Sequence, residues 1–165
     1  MLDNEVLAAI KSGMKGELDS ITVYEDAAAA SVGEVKDFFT ERAAAEKEHF
    51  NYLLGYYKTH TVNLTPERNA AAELGGSWKS AIISKPFLTQ IASSRHLTAA
   101  ISAALHLELD AVKLYRDWAT RAKAPELKSL LERLTVWEQQ HYDDLLSIQE
   151  ELEQHYFDIN NFKPF

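Results

Sequence analysis

Apolar residues recur at helical spacing in four long stretches of this chain, and each run is broken midway by a glutamate. From Pro125 onward, positions 127, 131, 134, 138, 141, 145, 148 and 152 read Leu, Leu, Leu, Glu, His, Leu, Ile, Leu. That is one face of an α-helix, with Glu138 and His141 standing where the core should be. Positions 39, 43, 46, 50, 53 and 57 read Phe, Ala, Glu, Phe, Leu, Tyr, and positions 97, 101, 104, 108, 111 and 115 read Leu, Ile, Ala, Glu, Ala, Tyr. The first stretch is weaker. Its positions 6, 10, 13, 17, 20 and 24 read Val, Ile, Gly, Glu, Ser, Tyr, with Gly13 and Ser20 leaving room beside the carboxylate.

Local signals bound these stretches. Asp3 or Asn4 suits the cap of a first helix that runs through Ala27 to Ala30 and stops near Ser31, Val32 and Gly33. A second helix is expected from about Glu34 to Lys58, and a third from about Arg95 to Ala122 with Ser93 or Ser94 as cap. Pro125 opens a fourth that reaches about His155. The first and second helices, and the third and fourth, are joined by a few residues, so each pair forms an antiparallel hairpin. The segment of about 59–94 holds Pro66, Gly75, Gly76 and Pro86, with room for a short helix from Pro66 to Leu74, and is long enough to travel the length of a bundle. The tail, about 156–165, is aromatic and non-periodic. An all-α, ferritin-like four-helix bundle follows: two antiparallel hairpins and a long crossover, forming one domain over 1–165.

The two hairpins look like copies. Gly16 begins GELDSITVYED and Leu107 begins LELDAVKLYRD, each with a Tyr seven residues after the Glu; Glu46 begins EKEHFNYLL and Glu138 begins EQQHYDDLL. The separations agree as well, 29 residues from Glu17 to Glu46 and 30 from Glu108 to Glu138. At a rise of ~1.5 Å per residue, all four carboxylates lie roughly 22 Å from their hairpin joins, with His49 and His141 a turn farther along. Six polar side chains therefore converge at one level of an apolar core. Unpaired buried charge costs several kcal/mol per group. Two divalent cations would balance the four carboxylates.

Composition narrows the choice of ion. The chain has no cysteine, so thiolate sites, disulfides and redox thiols are excluded, and only nitrogen and oxygen ligands remain. Such ligands suit Fe or Mn, with Zn also able to occupy the site. The net charge of −8, from 25 acidic and 17 basic residues without a long Lys/Arg run, argues against a nucleic-acid partner. No apolar run reaches the ~20 residues of a membrane span, and the N-terminus lacks the basic start of a signal peptide. A cytoplasmic location is expected.

Gly16-Glu17, Glu46-Lys47-Glu48-His49, Glu108 and Glu138-Gln139-Gln140-His141 together resemble the rubrerythrin-like branch of the ferritin-like di-iron carboxylate proteins. The likeness covers nearly the whole chain apart from the crossover and tail. It implies a pair of iron ions bridged by Glu46 and Glu138, with Glu17 and Glu108 as terminal ligands. It also implies oxidoreductase activity toward hydrogen peroxide or dioxygen. Two departures stand out. There is no cysteine-built iron site, so electrons must come from another protein, and Ala111 takes the place of the additional carboxylate of the peroxidases.

Tyr24 and Tyr115 stand two turns past Glu17 and Glu108 on the same faces, within reach of ligand carboxylates. Asp19 and Asp110 are ~200° around the helix from the seam and face away. Trp78, Trp118 and Trp137 read as core or interface residues. Ferroxidase or iron-handling activity, and a metal-stabilised structural or regulatory bundle without turnover, are the other functional readings. A homodimer is expected.

Overall fold

The computed structural model describes residues 4–60 and 83–160. Over these residues the chain is an all-α bundle: α1 Asn4–Ala29, α2 Gly33–Thr59, α3 Lys85–Ala92, α4 Arg95–Arg121 and α5 Pro125–Ile159, with no strand among them. The boundaries follow from local chemistry. Gly33 reverses the chain after α1 at a φ of 56°, a conformation that glycine adopts without steric cost. His60 ends α2 in the left-handed region, its N–H donating to the Tyr56 carbonyl at 2.8 Å. The Ser94 hydroxyl accepts from the Leu97 N–H at 3.2 Å and caps α4. Pro125 occupies the first turn of α5.

Two of these elements differ from the sequence expectation. Helix α5 continues to Ile159, four residues past His155, so the first part of the aromatic tail is helical. Helix α3 occupies the end of the expected crossover, where Ser84 caps it by accepting from the Phe87 N–H at 3.1 Å and Pro86 stands in its first turn. The short helix expected over 66–74 lies outside the described residues. Phe87, Leu88 and Ile91 of α3 are buried against α2, α4 and α5. Gln90 fastens α3 to the α1–α2 join: its Oε1 accepts from the Val32 N–H at 2.9 Å, and its Nε2 donates to the Val32 carbonyl at 3.1 Å. At about 1 kcal/mol net per hydrogen bond, Gln90→Ala is expected to cost about 1–2 kcal/mol in urea unfolding. An unchanged midpoint would mean that this clamp does not hold the join.

The core falls into two apolar clusters. One, toward the α1–α2 join, holds Tyr24, Phe38, Phe39, Phe87, Ile101 and Leu145; the other, toward the α4–α5 join, holds Ile10, Leu53, Tyr115, Leu130 and Leu134. Between them the bundle carries a layer of buried Glu and His residues. α1 packs on α2 and on α4, and α5 packs on α4 and α2. Contacts across the bundle run in opposite senses: Glu17 meets Tyr115 while Tyr24 meets Glu108, and His49 meets Glu138 while Glu46 meets His141. Both cross-hairpin pairs, α1 with α4 and α2 with α5, are therefore antiparallel.

Candidate metal centre

Each long helix delivers its share of the polar layer from a seam that is otherwise apolar. α1 supplies Glu17, α2 supplies Glu46 and His49, α4 supplies Glu108, and α5 supplies Glu138 and His141, all buried. One donor atom from each of Glu46, His49, Glu138 and His141 lies within 4.8 Å of the others. His49 Nδ1 is 2.8 Å from Glu138 Oε1, 3.3 Å from Glu46 Oε2 and 3.8 Å from Glu17 Oε2. The second half mirrors it: His141 Nδ1 is 2.7 Å from Glu46 Oε1, 3.7 Å from Glu138 Oε2 and 3.7 Å from Glu108 Oε2. Glu46 and Glu138 thus each offer one oxygen to either imidazole. Glu17 and Glu108 reach one imidazole apiece.

The tyrosines complete this symmetry across the hairpins. The Tyr115 hydroxyl donates to Glu17 Oε1 and the Tyr24 hydroxyl to Glu108 Oε1, so each leaves the carboxylate's other oxygen for the centre. The seam argument put these tyrosines near ligand carboxylates; the partner in each case belongs to the opposite hairpin. Burial, and then the neighbouring carboxylate (Glu108 for Tyr24, Glu17 for Tyr115), push both phenols well up, which keeps them protonated as donors. Tyr115 fits because α1 has no side chain opposite it. A Cβ on Gly13 would stand 2.9 Å from Tyr115 Cε1 and 3.1 Å from its hydroxyl. Gly13→Ala is expected to lower stability by up to about 2 kcal/mol, overpacking outweighing the roughly 1 kcal/mol gain in helix propensity. A thermal melt at or above the parent's would show that the ring yields freely.

Without a cation this layer is electrostatically frustrated. Burial, followed by the charge on Glu46, pushes both Glu17 and Glu138 well above the ordinary carboxylate value of 4.5. Glu46 goes the other way: burial opposes its ionisation, but His141 and His49 outweigh burial and hold it well below that value. For His141 burial acts to lower the pKa, yet Glu46 beside it raises it to about 9. Protons thus take the place that positive charge would fill. Both oxygens of Glu46 and of Glu138, Glu108 Oε2, and Nδ1 of both histidines are buried and crowd one another, as close as 2.7 Å, without the alignment of a hydrogen bond. Buried polar atoms are nearly always paired, and these are converging oxygen and imidazole donors. The residues fit a metal ion.

Other residues lie where the seams placed them or where the seams gave no sign. Asp19 is on the surface, its carboxylate 2.5 Å from Lys15 Nζ, and Asp110 is exposed. Glu25 pairs with Lys47 at 2.5 Å, also on the surface. Trp137 packs against the centre itself. Its ring lies on His49, centroids 5.2 Å apart and planes 6° from parallel, with Tyr52 5.8 Å beyond. Arg42 and Asp144 form a buried ion pair at 2.5 Å, and Gln140 Nε2 donates to the other Asp144 oxygen at 3.0 Å. Arg42 lies one turn before Glu46 and Asp144 one turn after His141, spacings that set them at the edge of the same layer. Their pairing across 102 residues has no periodic signature.

Compared with known proteins, the chain matches no protein-family model, no curated protein and no solved structure. A buried Glu/His cluster able to hold a metal ion is what defines the class of this bundle.

Proposed function

We propose that the chain is a dinuclear metal protein of rubrerythrin-like type that oxidises bound Fe(II) with hydrogen peroxide or dioxygen. One observation carries the reading: Glu46 and Glu138 each span both imidazole nitrogens, while Glu17 and Glu108 serve one apiece. Glu17 and His49 would hold one ion and Glu108 and His141 the other, with Glu46 and Glu138 able to serve both. The helix directions support ferritin-like connectivity. Since α4 runs antiparallel to α1, it begins at the end of the bundle where α2 does not finish, the arrangement that a long crossover connection requires.

Iron held there would supply the redox electrons. The protein side chains hold and shield it. The tyrosines fix Glu17 and Glu108, and the two apolar clusters exclude water from above and below. An external electron-donor protein and a homodimeric state belong to the same proposal; sizing of the purified protein tests the latter.

Anaerobic loading with Fe(II), followed by peroxide or by dioxygen with oxidation followed optically, tests the reaction. Rapid oxidation that is lost in Glu46→Ala is expected, and the faster of the two oxidants separates peroxidase from ferroxidase character. Oxidation no faster than that of free Fe(II), and unchanged by Glu46→Ala, would leave the second reading. In that reading the cations serve structure alone, favoured by a cluster that draws ligands from all four long helices.

A further inference from the structure

The six candidate ligands obey a two-fold pattern, but the residues around them do not. Relating Glu17 to Glu108, Glu46 to Glu138 and His49 to His141 by their places in the repeat also relates Arg42 to Leu134, Tyr52 to Asp144 and Ala45 to Trp137. The half of the centre containing His141 and Glu108 is thus flanked by a buried guanidinium paired with Asp144. Arg42 Nε in that pair has no hydrogen-bond partner. The half containing His49 and Glu17 is flanked by Leu134 and Tyr52, and Trp137 lies flat on the His49 ring.

We infer that the two metal positions are inequivalent, and that the first cation binds on the Glu17–His49 side and the second, more weakly, on the Glu108–His141 side. This rests on the two-ion reading above. Two features point the same way. A fixed positive charge one turn from the shared Glu46 opposes a divalent cation on its own side more than on the far side; Asp144 offsets part of that field, and Gln140 draws on its other oxygen. The Trp137 stack also holds the His49 ring in place before metal arrives, which lessens the ordering cost of binding there. The His141 ring has Ala45 at the corresponding position; its one stacking partner is His49 itself, centroids 5.5 Å apart and planes 19° from parallel, so no ring outside the centre holds it. Sharing Glu46 and Glu138 would separate two binding events whichever came first. The flanks decide the order.

The test is a titration of the apo-protein with Mn(II), followed by calorimetry and by electron paramagnetic resonance. The expected dissociation constants differ by at least ~tenfold, and at one equivalent the spectrum is that of isolated ions, giving way to coupled pairs as the second equivalent enters. His49→Ala should weaken the first event by at least ~tenfold, whereas His141→Ala should leave it within ~threefold and remove the second. Arg42→Met combined with Asp144→Leu should narrow the gap between the two constants. If that double variant does not fold, the two histidine variants decide the order alone. A first event governed by His141, or coupled pairs already dominant at one equivalent, overturns the inference while leaving the two-ion reading intact. Failure to bind Mn(II), Fe(II) or Zn(II) in any amount would instead remove the two-ion reading itself.

Discussion

Glu138→Gln is expected to melt at a higher temperature than the parent protein in the presence of a chelator, and to lose the paired binding of cations. Glu138 lies in the same buried layer as Glu46, Glu17 and Glu108, and its carboxyl is pushed well up by burial and then by those neighbours. At neutral pH the metal-free fold carries the cost of keeping that group protonated. An amide of the same shape removes the cost, a gain of about 1–3 kcal/mol, which for a chain of this size raises the Tm by roughly 2–12 °C. The same change takes away a carboxylate oxygen that the two proposed ions would share. A variant that melts lower without metal, or that still binds two ions with parental affinity, would show that Glu138 is not part of a metal-demanding layer.

Cation binding should reverse that penalty, and the reversal should grow with pH. At free cation about 100-fold above each dissociation constant, two sites together contribute about 5 kcal/mol, or roughly 10–20 °C in Tm. The pH trend follows from the direction of the shifts. Glu17 and Glu138 are raised above 4.5, so the stability they lend by holding protons is complete in acid and is lost as pH rises through their folded values. His141, raised from 6.5 to about 9, lends stability that is complete below 6.5 and lost as pH rises through about 9. Glu46, held below 4.5, changes the balance only in acid. Metal-free protein should therefore weaken between pH 6 and 9 while metal affinity rises, because cations displace these protons. Melts with and without Mn(II) across that range check it. A Tm increment that shrinks as pH rises would contradict the exchange of protons for cations.

Most of the architecture was legible because periodicity reports burial. The seams place Glu17, Glu46, Glu108 and Glu138 at core positions, and the matched distances to the joins place them at one height; the structure brings all of them, with His49 and His141, into a single layer. The tyrosines show the limit of that logic. A seam gives the face of a helix, and so identified Tyr24 and Tyr115, but it does not name the residue opposite. Helix α3 was hidden because Pro86 reads equally as loop punctuation and as the first turn of a helix capped by Ser84. Arg42, Asp144 and Trp137 occupy the margins of their seams, where a charged or aromatic side chain fits a solvated face as well as a buried contact. Only the packing of α2 against α5 pairs Arg42 with Asp144 and lays Trp137 on His49.

The most direct test of the two-ion centre is the metal content of protein purified without added metal and then equilibrated with Fe(II) under anaerobic conditions, measured per chain by elemental analysis. Glu17, Glu46, His49, Glu108, Glu138 and His141 acting as one centre give close to two ions per chain, falling below one in Glu46→Ala. A content near zero in the parent protein across preparations, or two ions retained in Glu46→Ala, would contradict it.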